Sequence, residues 1–311
     1  MTLLLAVLAF GLGIAIVIFA TERLLDGLVG VAAALRVAPF VASVILSGLE
    51  AENIAVGLAA GQRGASDIAL GTAIGGATFL LCMALGLGAL IAPLRVRLPR
   101  GIVALLPLAA VLAGLPLLSG STPRWTGLVL LVAFGLAIGY LVRAARGHAF
   151  GPEGQKASAA PASPLGRALL LTLVGIAAIA AGGELVAIGA EGLIATLGLG
   201  SGLMGMVITP AAIEAEEVVR QVVPARRGFA EVSAGNVIGT VLYFTLFNLG
   251  LIALLTPVSV SDRVRLVDWP FLVGASLLAA VFLLRGRVGR MEGLVLVTFG
   301  VGYAVLHSLL R

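Results

Sequence analysis

Long apolar runs, broken only by short stretches carrying glycine, proline or arginine, follow one another along the whole chain. A helix rises 1.5 Å per residue and the hydrocarbon layer is about 30 Å thick, so roughly 20 apolar residues are enough to span it. The runs predict membrane helices near residues 3–35, 37–61, 66–91, 101–119, 125–142, 167–197, 202–223, 231–256, 269–284 and 291–309. That makes ten, five on either side of the polar stretch 144–166, whose Ala, Gly, Pro, Ser and scattered charge are those of a flexible linker. Membrane barrels are built instead from alternating segments of about 10 residues. The pattern predicts an all-α membrane protein of ten transmembrane helices, with a first five-helix repeat over 1–143, a linker over 144–166 and a second five-helix repeat over 167–311. At 1.5 Å per residue the first run would be about 50 Å long, so it must tilt strongly or break.

Composition agrees. Of 311 residues, 60% are hydrophobic and only 11% charged, against about 25% charged in soluble domains. The net charge of +5 is no nucleic-acid footprint, because the 20 basic residues sit in short loops. With the N-terminus outside, Arg36, Arg95, Arg97, Arg100, Arg143, Arg146, Lys156, Arg167, Arg220, Arg226, Arg227, Arg285, Arg287 and Arg290 fall on the cytoplasmic side. Arg63, Arg124, Arg263, Arg265 and Arg311 fall outside, and Arg23 lies within a run. Fourteen against five is a strong positive-inside asymmetry. It asks for an odd number of spans per half, so the halves are inverted and the linker is cytoplasmic. The expectation is a multi-pass protein of a prokaryotic inner (plasma) membrane. Cys82 is single and forms no internal disulfide. The first run lacks a basic leader and a clear cleavage site, so it reads as a span and not a signal peptide.

Acids interrupt this apolar background twice, in the same way. Glu50-Ala51-Glu52-Asn53 and Glu214-Ala215-Glu216-Glu217 align under a shift of 164 residues, without a gap, from Gly48–Gly76 onto Ala212–Thr240. Eight of these 29 positions are identical, among them Arg63-Gly64 on Arg227-Gly228 and Gly71, Ile74, Gly75 on Gly235, Ile238, Gly239. A carboxylate in the hydrocarbon layer is costly unless something compensates it. Inverted repeats joined by a linker mark many secondary transporters, whose ion sites lie near the midplane where helices are interrupted. Ser47-Gly48 and Thr209-Pro210 are the candidate interruptions, and a proline frees a backbone carbonyl that a cation could satisfy.

On a helix Glu50 shares a face with Asn53, and Glu214 with Glu217, while Glu52 and Glu216 take a different face. One face can line a central site while the other meets a second helix or a water path. The bland alternative puts these acids at helix ends near the headgroups. Arg220 apart, no Lys or Arg in these spans could neutralise them, so metal or protons are expected to do so. Carboxylates, backbone carbonyls and Asn suit a hard cation, chiefly Ca²⁺ or Na⁺, and several carboxylates favour a divalent one. Crowded acids also repel, so they could take up protons when the metal leaves. In the next helix of each half, Asn236 and Thr240 are ligand candidates and Thr72 a weaker one. Gly71, Gly75, Gly76, Gly235 and Gly239 can equally serve helix packing alone. Glu22 and Glu184, in the long first run of each half, could line an entrance or bond across the repeats. Asp67 and Glu231 read as loop ends, and His148 and His307 lie away from the acids.

These residues resemble the cation/calcium exchanger superfamily, whose two repeats pair a Gly-Thr-Ser-Leu-Pro-Glu-like helix with a Gly-Asn-x-x-Gly-Ser-like helix. Gly205-Met206-Val207-Ile208 leads to Glu217, and Gly235-Asn236-Val237-Ile238-Gly239-Thr240 follows, its glycine 18 residues after Glu217. Arg63–Gly71 matches the loop and next helix of the first repeat, and this register puts Asn53 where the family has its acid. The Pro-Glu pair is absent from both repeats, Glu50 and Glu214 stand where a Ser often helps bind ions, and Leu80 and Phe244 stand where Asn or Asp is frequent. A register with one insertion would make Glu52 and Glu216 the key acids instead. The resemblance implies a cation antiporter, not an enzyme, exchanging a divalent cation, Ca²⁺ foremost, for H⁺ or Na⁺ by alternating access. Glu50, Asn53, Glu214, Glu217 and Asn236 would bind the metal, with Glu52 and Glu216 beside them. Partners would be inorganic cations and the lipid bilayer, with no nucleic acid and no cofactor beyond the transported ions. The oligomeric state stays open, a monomer included. An intramembrane metal-dependent enzyme using the same acids, or a passive cation channel, are the alternatives. The lack of HExxH-type spacing and of His or Cys beside the acids speaks against zinc chemistry.

Overall fold

A computed structural model gives the fold and describes residues 2–46, 51–145, 150, 164–197 and 215–309. Helix α1 (Leu3–Leu35) begins at Thr2, whose hydroxyl accepts from the Leu5 N–H at 3.4 Å, and ends at Arg36, whose φ of 55° turns the chain. Its 33 residues form one helix without a break. Within the predicted run 37–61, Pro39–Leu46 (α2) and Ala51–Gln62 (α3) are helical, and 47–50 lie outside the described residues. Then follow α4 (Ser66–Ile91), α5 (Arg100–Leu112), α6 (Arg124–Ala144), α7 (Leu165–Leu197), α8 (Ala215–Arg226), α9 (Ala230–Leu255), α10 (Val264–Leu284) and α11 (Arg290–Leu309).

Among the described residues, seven stretches are long and apolar enough to cross a membrane: Leu3–Leu35, Ser66–Ile91, Arg100–Leu117, Arg124–Ala144, Leu165–Val186, Ala230–Leu255 and Val264–Leu284. The search covers the described residues alone, and those of α2 and α3 number 8 and 12. The segment 202–214 ahead of α8 lies outside the described residues. Leu3, Leu4, Leu8, Leu12 and Phe19 of α1 are exposed, an apolar surface suited to lipid.

α1 and α7 lie antiparallel. Phe10 meets Gly189, Gly13 meets Val186, Leu24 meets Gly175 and Gly27 meets Thr172, so numbers fall along one helix as they rise along the other. The approach is close enough that a Cβ at Gly13 would stand 2.7 Å from the Val186 nitrogen, and one at Gly175 2.9 Å from Leu24 Cα. Small residues at such a seam let backbones pack where no hydrophobic force separates helix from lipid.

The duplicated Arg-Gly pairs also have a local cause. Gly64 and Gly228 both take the left-handed region, at φ 73° and 84°, where a side chain would be strained. Each turns the chain from an acid-cluster helix into the next, from α3 to α4 and from α8 to α9. The two halves are tied at opposite ends. Leu94 and Arg95 pair with Val288 and Arg287 at one end. Ser121 bridges Ser259 at the other, where the Ser259 hydroxyl donates to Ser66 at the start of α4. π-helical turns at Leu80–Ala84 in α4 and Tyr243–Asn248 in α9 fall at matching positions under the 164-residue shift.

Candidate functional site

Glu216 and Glu217 are neighbours at the described start of α8 (Ala215–Arg226). Successive helical residues point about 100° apart, and these two part accordingly. Glu217, 1% exposed, faces α9, where Asn236 Nδ2 donates to its Oε2 at 2.9 Å. Glu216, 8% exposed, faces α7: a Cβ placed on Gly183 would collide with its Oε2. Arg220, 7% exposed, lies one turn on; its Nη1 donates to Glu217 Oε1 and stands 3.8 Å from Glu216 Oε1.

This corrects two expectations. The buried acids have a counter-charge within their own helix, so metal or protons are not their sole means of neutralisation. The i, i+3 and i, i+4 spacing of Glu217 and Glu216 from Arg220 brings the three together. Nor is Arg220 a cytoplasmic loop residue; without it the inside tally is thirteen against five, still a clear asymmetry.

A crevice beside this trio is lined by Thr21, Leu24, Leu25 and Leu28 of α1, Arg220 and Pro224 of α8, and Val232 and Asn236 of α9. Thr240, one turn beyond Asn236, is buried, and its hydroxyl has no hydrogen-bond partner among the described residues. Gln221 is also fully buried, with neither its amide nitrogen nor its oxygen partnered. Unsatisfied buried oxygens next to paired carboxylates are the surroundings a hard cation or an ordered water would satisfy. Among the described residues no group of three or more His, Cys, Asp or Glu side chains stands together as a metal cluster.

Of the first cluster less is described. Glu50 and Glu214 lie outside the described residues, as do Ser47-Gly48 and Thr209-Pro210, and for Glu52 only the backbone in α3 is described. Asn53 is half-buried. Its carbonyl accepts from Asn248 Nδ2 at 3.5 Å, and the same amide reaches Thr72 Oγ1 at 3.5 Å. Thr72 in turn donates to the Ala69 carbonyl at 2.8 Å. Under the 164-residue shift Asn53 corresponds to Glu217 and Thr72 to Asn236, so the same two elements of each half face one another. Asn248 is a residue the sequence reading missed. Its counterpart is Ala84, so the repeat gave no signal for it. Its Oδ1 is buried and has no hydrogen-bond partner among the described residues.

The other acids sort differently from expectation. Glu184 is exposed and Glu22 half-buried. Asp26 makes the bond across the repeats instead, accepting from Arg227 Nη1 at 3.1 Å. Asp67 accepts from the Ser261 hydroxyl at 3.1 Å near the start of α4. Glu231 is no exposed loop end; it is buried in the first turn of α9 and accepts from the Phe150 N–H at 2.6 Å, a linker residue whose ring packs edge-on against Phe40. Gly235 and Gly239 serve packing: a Cβ on either would stand 2.7 Å from the carbonyl oxygen of Phe40 or Val44 in α2.

Comparison with known proteins agrees with this geometry. The family described as "Sodium/calcium exchanger protein" matches residues 5–143 and 167–309, one stretch in each half. The putative antiporter CaxA of Alkalimonas amylolytica is 25% identical over 307 residues, covering 94% of this chain and 96% of its own. The inner membrane protein YrbG of Escherichia coli K12 is 25% identical over 319 residues, covering 99% and 98%. Among solved structures, the sodium-calcium exchanger NCX_Mj superposes with a TM-score of 0.81 at 21% identity, over 96% of this chain and 98% of that one, which establishes a shared fold. With both halves matched and the whole fold shared, the chain belongs to the sodium/calcium exchanger protein family.

Proposed function

We propose that this cation antiporter exchanges a divalent cation, with Ca²⁺ the leading candidate, for H⁺ or Na⁺ by alternating access. The observation that carries the reading is Glu217: a carboxylate buried within the helical bundle and held by Asn236 across the α8–α9 contact. The metal site would comprise Glu50, Asn53, Glu214, Glu217 and Asn236, with Glu52 and Glu216 beside it. Several carboxylates in one place favour a divalent ion over a monovalent one. CaxA is named a putative antiporter and NCX_Mj a sodium-calcium exchanger, which supports the same substrate class here.

The architecture proposed with it is ten transmembrane helices in two inverted five-helix repeats, N-terminus outside and linker cytoplasmic. The antiparallel α1–α7 pair supports inversion, as do the matching π-turns and the two ties at opposite ends of the molecule. α1 and α7, joined through their glycines, would move as one body against the helices that hold the ion. Glu216, set against Gly183 of α7, and Asp26, paired with Arg227, are contacts that such a movement would remake.

Purified protein in sealed liposomes tests the function. Ca²⁺ uptake is measured under an imposed proton gradient, and separately under an imposed Na⁺ gradient at fixed pH. Uphill uptake in either condition is the expected result and names the counter-ion. Flux that only runs down the Ca²⁺ gradient would mean a channel and refute exchange, and absence of flux in both would remove Ca²⁺.

A further inference from the structure

We propose that Arg220 is a built-in counter-cation. Its guanidinium occupies the Glu216–Glu217 carboxylates while no transported ion is bound, and it must yield them when one binds. The inference rests on the function proposed above and adds to it the way the empty site is neutralised.

Three observations lead there. First, the position is unusual for a merely stabilising ion pair. All three side chains are buried, and the pair that Arg220 makes with Glu217 uses the same carboxylate that Asn236 holds from the other side. Oxygen atoms that would coordinate a cation are engaged by a cation already attached to the chain. A fixed guanidinium and a mobile metal ion cannot both take Glu217 Oε1, so they compete.

Second, Arg220 brings a positive charge to both carboxylates from within α8 itself. α1 offers Thr21 and leucines, α7 offers Gly183, and α9 offers Val232 and Asn236. Two carboxylates and one guanidinium leave a net charge of −1 in the described trio. Withdrawing the guanidinium leaves −2, a stronger hold on any incoming cation.

Third, Arg220 and Pro224 border a narrow crevice whose far wall is Thr21, Leu24, Leu25 and Leu28 of α1. Too tight for a guanidinium as it stands, it would have to widen for Arg220 to leave the acids, its long stem lying against those leucines. α1 is one of the two helices proposed to move, so the crevice would change with the state of the transporter. In an exchanger a neutralised empty site lowers the number of counter-ion charges needed to reset it. Arg220 would thus set coupling as well as affinity.

The test is equilibrium binding of ⁴⁵Ca²⁺ to the purified full chain in detergent, for the wild type, R220Q and R220K, with monodispersity on gel filtration as the check on folding. Removing a tethered competitor should tighten Ca²⁺ binding about tenfold or more in R220Q, the scale measured for close buried charge pairs. R220K keeps the charge and should stay near the wild type. Binding that is unchanged or weaker in a monodisperse R220Q would overturn the proposal, because a residue that only holds Glu217 in place must weaken the site when it is lost. If R220Q is not monodisperse, the charge-balanced pair E216Q and E216Q/R220Q decides in the same way: the double variant must bind more tightly than the single. Ca²⁺ binding by R220Q with none by the wild type would support the competition in its strongest form. No binding of Ca²⁺ in any variant would overturn this inference together with the Ca²⁺ reading it rests on, whereas driven Ca²⁺ uptake by the wild type with an unaltered R220Q would overturn the inference alone.

Discussion

A carboxylate as buried as Glu217 must have each oxygen compensated, and here Arg220 and Asn236 take one oxygen each. Two predictions belong at this scale. E217Q should abolish cation-driven flux yet fold, because Gln keeps the shape and the contact with Asn236, and Glu216 remains 3.8 Å from Arg220 to pair it. N236A should weaken Ca²⁺ binding by roughly 10- to 100-fold, the worth of about 1.5–3 kcal/mol for a hydrogen bond to a charged group. An N236A protein that binds as the wild type does would separate Asn236 from the ion. Much of this was legible in the sequence: the duplication singled out both acid clusters, and the 18-residue spacing linked Glu217 to the helix of Asn236. Arg220 was visible one turn from the acids, but its counting as a loop charge hid its role. Whether an arginine near a helix end turns inward depends on what α1 and α9 leave open, which spacing alone does not reveal. Asn248 stayed hidden for another reason: it comes to Asn53 and Thr72 from the opposite half, with no repeat partner to mark it.

Between elements, backbone approach governs what the helices tolerate. α2 packs on α9 so closely that Gly239 has the Val44 carbonyl 2.7 Å from where a Cβ would stand, and Ser43 donates to the Val232 carbonyl at 2.8 Å. G239A should therefore cost about 1–3 kcal/mol, as overpacking does. G135A on the open face of α6, where nothing lies within 4 Å of the added carbon, should be neutral or stabilising. Melting followed in detergent distinguishes them, and equal melting temperatures would refute the tight α2–α9 seam. Most helices were readable from apolar runs, because length and hydropathy decide membrane spanning. For α1 the sequence left tilt or a break open, and the continuous glycine seam with α7 accounts for its remaining whole.

For the molecule as a whole, the account requires α1 and α7 to move together against the helices that hold the ion. A disulfide between V17C and G182C, in a C82A background, should leave transport intact, since it joins residues within the moving pair and an added Cβ at Gly182 meets the end of the Val17 side chain that the cysteine replaces. Linking D26C to R227C with a bifunctional thiol reagent should stop it, since that bond crosses from α1 to the end of α8. Full activity after complete D26C–R227C cross-linking would contradict the division of moving parts. The overall pattern was readable because the duplicated acid and glycine motifs appear twice in the sequence; Arg220, opposite Val56, has no such copy, and there the sequence alone was least able to speak.

The most direct test of the central claim compares the wild type and E217Q in the same proteoliposomes, following Ca²⁺ accumulation driven by an opposing H⁺ or Na⁺ gradient. The account predicts uphill accumulation by the wild type and none by a monodisperse E217Q. Accumulation at the wild-type rate by E217Q would place the ion elsewhere and contradict the site.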